Sequence, residues 1–345
     1  MVSRIPLPDR TDALGRPFKD LRISLLDRCN FRCPYCMPAS EFNADYQFLS
    51  RAERLSHEEI LQVVRVATSL GATKIRLTGG EPLLDKKLPE LVSQIARLEG
   101  IQDLALTTNA MLLAPVAQTL KDAGLHRVTV SLDSVDPLIF KLMSGGRGDL
   151  DKVMKGIAAA DTAGLGPIKI NTVVQRGVND KHVLDVLEHF RGSGHIVRLI
   201  EFMDVGNRNG WRMEQVVPSR DILATIQERW PVKAIGRNYP GEVARRYEYL
   251  DGAGEIGFIS SVTEPFCGAC SRARLSSDGV LYTCLFASQG TSLRQQLRGG
   301  ISDGELADVL SRIWQRRTDR YSETRRPEVA EAPIENKIEM YRMGG

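Results

Sequence analysis

All six cysteines of this chain fall into two triads: Cys29, Cys33 and Cys36 as C-x3-C-x2-C, and Cys267, Cys270 and Cys284 as C-x2-C-x13-C. Three thiolates are one ligand short of a closed tetrahedral site, and they leave one iron of a four-iron cluster without a protein ligand. Each triad therefore predicts an open coordination position at which a substrate or cofactor binds. Two plainer chemistries compete. Six cysteines also allow three disulfides, but such frameworks belong mainly to small secreted domains, and this chain of 345 residues opens on no apolar signal segment. Structural zinc is the stronger rival at the C-terminal triad, because C-x2-C is a common zinc knuckle. A fourth zinc ligand is not evident: His57, His126, His182, His189 and His195 all lie far from Cys267–Cys284 in the sequence.

Polar residues inside apolar runs form a second group. Lys74 and Arg76 alternate on one predicted strand, Lys169 and Asn171 on another, and Arg22 and Arg198 interrupt two more. Thr107, Ser131, Asp133, Glu201 and Met203 stand at strand ends. Central parallel strands are expected to be almost continuously apolar, and charges inside them are costly unless paired or facing a wet cavity. A barrel mouth that collects residues from every strand accounts for all of them. So many cations with few acids among them imply an acidic ligand, since arginine binds phosphate through planar, bidentate contacts.

The elements that must position these residues are legible. Strands are predicted at Leu21–Leu26, Lys74–Thr78, Leu104–Thr107, Arg127–Leu132, Lys169–Val174 and Val197–Phe202. Helices are predicted at His57–Leu70, with a Ser56/Glu59 capping box, and at Pro115–Ala123, Leu150–Ala163 and Lys181–Phe190. This alternation predicts βα units and a parallel sheet: an α/β fold, specifically a partial (β/α)6 TIM-like barrel with a C-terminal cluster-binding extension. A boundary is placed near Arg237, dividing 1–236 from 237–345. The extension is expected to close the barrel with a hairpin around Tyr247–Tyr249 and Ile256–Val262, the second triad, and a helical tail over Leu293–Trp314. The arginine-rich run from Arg312 to Arg326 reads as a solvated helix face.

The loop D-R-C-N-F-R-C-P-Y-C-M-P resembles the radical S-adenosylmethionine (SAM) superfamily. The segment T-G-G-E-P, Thr78 to Pro82, follows at the matching place after the next strand. That resemblance implies a [4Fe-4S] cluster on Cys29, Cys33 and Cys36, with SAM chelating its open iron and yielding a 5′-deoxyadenosyl radical. It also implies SAM contacts at Tyr35, Gly79, Gly80, Glu81, Ser131 and Met203. The stretch F-C-G-A-C-S-R-A-R-L-S-S-D-G-V-L-Y-T-C-L-F narrows the likeness to the GTP 3′,8-cyclase family of molybdenum cofactor biosynthesis, over nearly the whole chain. This narrower likeness implies a second [4Fe-4S] cluster on Cys267, Cys270 and Cys284 that binds the guanine base. It assigns Arg272 and Arg274 to catalysis and GTP binding, and Arg22, Arg76, Thr107 and Lys169 to GTP, with Lys74 and Arg198 as neighbours. The product would be 3′,8-cyclo-7,8-dihydro-GTP. An electron donor and a downstream cyclic pyranopterin monophosphate synthase are implied as partners, and a homodimer is left open. Gly344-Gly345 resembles a twin-glycine tail that reaches the site. The family's T-T-N-G appears here as Thr107-Thr108-Asn109-Ala110, so alanine stands where a positive φ is expected.

Composition fits these readings. The chain is 42% hydrophobic and 26% charged, with net charge +3. Mean hydropathy is −0.20. No apolar run reaches about 18 residues, so no membrane span is expected. The arginines lack interleaved aromatics, so no nucleic-acid partner is expected either, and a cytoplasmic enzyme is anticipated. A radical SAM peptide-modifying enzyme with an auxiliary cluster is the nearest alternative, but those enzymes typically carry further C-terminal cysteines and this chain has none. A non-enzymatic metal scaffold leaves the G-G-E-P turn and the strand arginines without a role. A nucleotide-binding regulator would want a Walker motif, which is absent.

Overall fold

The computed structural model of the chain describes residues 11–239, 241–325 and 337–344. Six parallel strands form its centre: β1 (Asp20–Ser24), β2 (Lys74–Thr78), β3 (Asp103–Thr108), β4 (Arg127–Ser131), β5 (Lys169–Val174) and β6 (Ile196–Glu201). Each agrees with its predicted span to within one or two residues. Helices α1 (His57–Ser69), α2 (Leu88–Ala96), α3 (Ala117–Asp122), α4 (Pro137–Met143), α5 (Leu150–Thr162) and α6 (Val183–Phe190) fill the crossovers. Their apolar stripes, such as Ile60, Val63, Val64 and Ala67 of α1, pack against buried strand residues including Ile23, Ile75 and Leu104. The Ser56/Glu59 capping box forms as read, and Ser56 Oγ accepts from the Glu59 amide.

Six further strands extend both edges, so the order across the sheet is β12-β11-β10-β1-β2-β3-β4-β5-β6-β9-β8-β7. At one edge β9 (Glu255–Ile259) runs parallel to β6 and is continued antiparallel by β8 (Arg245–Tyr249) and β7 (Val232–Ile235). At the other, β10 (Arg272–Leu275) lies parallel to β1 and leads to β11 (Val280–Tyr282) and β12 (Thr291–Ser292). The segment between β9 and β10 runs from one edge of the arc to the other, and it carries Cys267 and Cys270.

Three differences from the sequence reading have simple causes. Helices α2, α4 and α7 (Ser219–Arg229) were not anticipated; α2 and α4 each begin with proline in the first turn, a helix-start signal. The tail is not one helix over Leu293–Trp314. It divides into α8 (Arg294–Arg298) and α9 (Asp303–Gln315), because Gly300 takes φ 78° and Ser302 caps a new helix. The arginine run is not a uniformly solvated face: Arg316 and Arg320 are exposed, but Arg317 is 4% exposed and Arg325 pairs with Asp204 at 2.7 Å. Short helices α10 (Tyr321–Thr324) and α11 (Met340–Met343) complete the described chain.

Candidate active site

The strands end at a cavity whose walls come from both triads' surroundings. The first triad sits in the loop after β1. Arg32 shapes that loop, donating to the carbonyls of Phe42 (2.9 Å), Cys29 (2.8 Å) and Phe31 (2.8 Å). The Phe31 amide donates to Cys29 Sγ at 3.3 Å. Gly79 and Gly80 lie directly against the loop: a Cβ on Gly80 would overlap the Arg28 carbonyl, and Gly79 has φ 146°. Only glycine permits this approach.

Glu81 is 1% exposed and spends both oxygens on the protein itself. Oε1 accepts from the Leu83 amide (3.0 Å) and Thr108 Oγ1 (2.7 Å), and Oε2 from the Asn109 amide (2.8 Å). Burial pushes its pKa up to about 7, against the pull of these hydrogen bonds. The carboxylate thus ties the glycine turn to the end of β3, where Ala110 occupies φ 60°. Alanine therefore takes a left-handed conformation that glycine would take more easily, at a cost of about 1–2 kcal/mol.

Two adjoining cavities meet at a common wall. One is lined by Cys29, Cys33, Cys36, Gly79, Gly80, Glu81 and Thr107. The other is lined by Arg22, Arg76, Arg198, Arg272, Arg274, Met203 and the second triad. Tyr35, Ser131, Asp133 and Met340 face both. Tyr35 donates its hydroxyl to Asp133 Oδ2 at 2.7 Å, and the Val173 amide donates to Asp133 Oδ1 at 2.9 Å. Burial lifts the Asp133 pKa to about 6, with both hydrogen bonds opposing the rise.

The cations are crowded and short of counter-charge. Among the described residues Arg76 donates only to the hydroxyls of Thr107 (3.0 Å) and Thr129 (3.2 Å), and the Nε atoms of Arg22 and Arg76 are buried without a partner there. Burial, then neighbouring cations, pulls Arg76 well below the ordinary arginine range and brings Arg198 to about 9. Lys169 falls to about 7 through burial and the charges of Arg198, Arg127, Lys74 and Arg76. Arg274 donates to the Gly344 carbonyl, bringing the tail onto the cationic wall. Gly345 lies outside the described residues. Neither Lys74 nor Lys169 lines the cavity; Lys74 pairs with Asp103 at 3.3 Å and donates to Tyr239 at 3.0 Å.

The donor sets fit iron–sulfur clusters. All six cysteines are free and half-buried, which excludes the disulfide alternative. Among the described residues no three His, Cys, Asp or Glu side chains converge on a point that a single ion would occupy. A cluster spreads its irons over separate corners, so its three thiolates need not converge. Burial raises Cys29 to about 12, with Arg32 only partly opposing it, and raises Cys284 to about 11. Cys270 differs: burial raises it, but Arg272 and Arg317 more than offset this and bring it to about 6. N–H donors already point at the sulfurs, from Phe286 to Cys284 (3.4 Å) and from Arg272 and Arg317 to Cys270 (3.4 and 3.1 Å).

Comparison with known proteins decides the kinship. The chain matches the radical SAM superfamily over residues 23–190 and the Molybdenum Cofactor Synthesis C family over residues 195–323. It is 52% identical over 344 residues to a GTP 3′,8-cyclase of Xanthomonas campestris pv. campestris (strain B100), covering 100% of this chain and 99% of that relative. The chain belongs to the GTP 3′,8-cyclase family. Other members include a GTP 3′,8-cyclase of Acidothermus cellulolyticus, 51% identical over 91% of this chain and 88% of its own. That of Staphylococcus carnosus is 44% identical over 97% and 98%.

Among solved structures, Streptococcus suis SuiB bound to S-adenosylmethionine aligns with a TM-score of 0.59 at 14% identity, over 85% of this chain and 68% of its own. Native anSMEcpe with bound AdoMet aligns at 0.54 and 18% identity, over 77% and 74%. At these identities the likeness carries the fold: this GTP 3′,8-cyclase family chain has the partial (β/α)6 barrel of the radical SAM superfamily. Sequence reasoning did not single out Asp12 or Arg16 around the second triad and placed Arg317 on a solvated face, whereas Asp133, read as a strand-end residue, does line the common wall. No helix among the described residues is long and apolar enough to cross a membrane.

Proposed function

We propose that this chain is a GTP 3′,8-cyclase that converts GTP to 3′,8-cyclo-7,8-dihydro-GTP, the opening step of molybdenum cofactor biosynthesis. The observation that carries the reading is the pair of cysteine triads lining two cavities that share one wall, with unpaired arginines around the second. Cys29, Cys33 and Cys36 would hold one [4Fe-4S] cluster, and Cys267, Cys270 and Cys284 another. With SAM bound, the first supplies a 5′-deoxyadenosyl radical.

The chain's own residues bind, orient and shield. Gly79 and Gly80 give a ligand the close backbone approach that the SAM amino group would need. Because Glu81 is committed to Leu83, Thr108 and Asn109, its part is to fix that turn. Tyr35, Ser131 and Met203 would enclose SAM from the common wall. Arg22, Arg76, Arg198, Arg272 and Arg274 would take the triphosphate, whose charge supplies what the cluster of cations lacks. Thr107 holds Arg76 toward it, and Lys74 and Lys169 add positive potential from below. Holding guanine at the second triad and phosphates at the arginines fixes the ribose between two points, in reach of the common wall. The tail from Met340 to Gly344 narrows the mouth against water.

An electron donor and a synthase that consumes the product are required by this chemistry, and a cytoplasmic setting and the division at residues 236/237 accord with it. Relatives 52% and 44% identical share the cyclase name, and no cysteine remains for the further auxiliary ligands of a peptide-modifying enzyme. The test is anaerobic reconstitution, iron counting, and turnover of GTP with SAM and reductant. Two cubanes give about eight irons per chain. Zinc at the C-terminal triad, or SAM cleavage indifferent to GTP, would sink the proposal.

A further inference from the structure

Against the second triad, on the wall of the same cavity, lies a charge group built on Arg317 and Asp319 that no step of the cyclisation uses. Arg317 follows the end of α9 and is 4% exposed. Its Nη2 donates to Cys270 Sγ at 3.1 Å, and its Nη1 to the Cys270 carbonyl at 2.6 Å and to Asp12 Oδ2 at 3.1 Å. Nε donates to the carbonyl of Thr283, the residue before Cys284, at 3.0 Å, and lies 3.4 Å from Asp319 Oδ2. The Trp314 ring covers the guanidinium at 4.6 Å.

Asp12 is itself held by Arg16 Nε at 2.6 Å, and Arg16 Nη1 donates to the carbonyls of Cys267 and Asp319, each at 2.8 Å. Arg16, near the start of the described chain, and Arg317, just after its last long helix, thus hold the backbone at Cys267, Cys270 and Thr283. Among the described residues, Arg317 and Arg272 are the side chains that also reach the Cys270 sulfur.

We propose that Arg317 is a positioning residue of the second triad, aiming an N–H and a positive charge at the Cys270 sulfur and so raising the reduction potential of the cluster held there. Reduction adds negative charge to a cluster, so a donor and a cation beside a ligand sulfur favour the reduced state. Asp12 and Asp319 fix the guanidinium on the side away from the sulfur, and Arg272 directs a second N–H at the same sulfur. A purely structural arginine would need its carbonyl and carboxylate contacts but no aim at sulfur.

The inference rests on the two-cluster reading, and one experiment separates the two. The full chain, with Arg317→Lys and Arg317→Gln variants, is reconstituted anaerobically, its iron is counted, and both clusters are titrated potentiometrically with electron paramagnetic resonance detection. The expected result is about eight irons in the parent. The second cluster's midpoint falls in both variants, further for Gln than for Lys, and the first cluster serves as an unmoved internal reference. If Gln loses the second four irons while keeping the first, the Lys variant supplies the shift; the same selective loss in both is what a purely structural arginine would give and would overturn the assignment. Full loading with an unmoved second midpoint, equal shifts of both clusters, or loss of both clusters together with native circular dichroism would overturn it. A parent holding only four irons would overturn the two-cluster reading itself, and this inference with it.

Discussion

Replacing Arg76 by methionine separates binding from folding. Arg76 is 5% exposed and, among the described residues, is met only by two threonine hydroxyls and has a buried Nε without a partner. Exchanging buried ion pairs for apolar side chains of similar volume often stabilises a protein by about 1–4 kcal/mol, even when the pair recovers part of its desolvation through mutual attraction. Arg76 lacks that recovery, since its strongest electrostatic neighbours are Arg22 and Arg127. Against the gain stands about 1 kcal/mol for hydrogen bonds lost at Thr107 and Thr129. The metal-free protein should therefore be more stable by about 1–2 kcal/mol as Arg76→Met, whereas Arg76→Lys, which keeps the charge, should not gain.

Binding should move the other way. Losing a hydrogen bond to a charged group costs about 1.5–3 kcal/mol, or about tenfold to a hundredfold in GTP affinity. Guanidinium denaturation of the metal-free chain reads the first quantity, and anaerobic calorimetric titration of GTP into the reconstituted chain reads the second. A methionine variant that is less stable than the parent and binds GTP equally well would refute the reasoning, because Arg76 would then be a structural residue.

Three further expectations follow from the same geometry. Cys29→Ala should abolish SAM cleavage, whereas Cys270→Ala should chiefly weaken GTP binding and cyclisation; normal cyclisation by the second variant would remove the substrate role of that triad. Gly80→Ala places a methyl on the Arg28 carbonyl and should cost the first cluster's iron while leaving GTP affinity within about threefold, a split read by iron counting and calorimetry. Lys169, depressed to about 7 by burial and by Arg198 first among its neighbours, binds fewer protons folded than unfolded between pH 7 and its ordinary value. Metal-free stability should thus rise with pH across that window, Lys169→Met should flatten the rise, and GTP binding near pH 8 should take up protons, visible as a buffer-dependent binding enthalpy.

The central strands were legible because buried parallel strands are short apolar runs, and the few cations breaking them marked which side faces the cavity. β10 was not legible. Its sequence R-A-R-L carries two arginines, and nothing local says that a strand some two hundred and fifty residues downstream will lie in register beside β1, Arg22 against Arg274. Such pairing is a property of the closed chain, not of the segment. Arg317 was a different kind of miss, because its signal was present. Leu306, Leu310 and Trp314 form the buried stripe of α9 at steps of four, and Arg317 continues it at a step of three. Counting arginines along the run hid what the helical period would have revealed, that one of them points inward.

That inward arginine bears on why the second triad lies where it does. The first triad occupies a loop already fixed by β1, α1 and the glycine turn, so its geometry comes with the barrel. Two members of the second, Cys267 and Cys270, lie on the connection between β9 and β10, outside the strands, and Cys284 follows β11. The order of that connection must be supplied from outside: Glu201 at the end of β6 accepts from the amides of Val262 and Thr263, both at 2.9 Å, and Arg16 and Arg317 take the carbonyls of Cys267 and Cys270. A connection held by side chains can cross the open side of a partial barrel, which a further strand pair could not do without filling the cavity. The same bracing turns a guanidinium N–H toward one cysteine sulfur, so the contacts that hold the segment in place also set the electrostatics of whatever it binds.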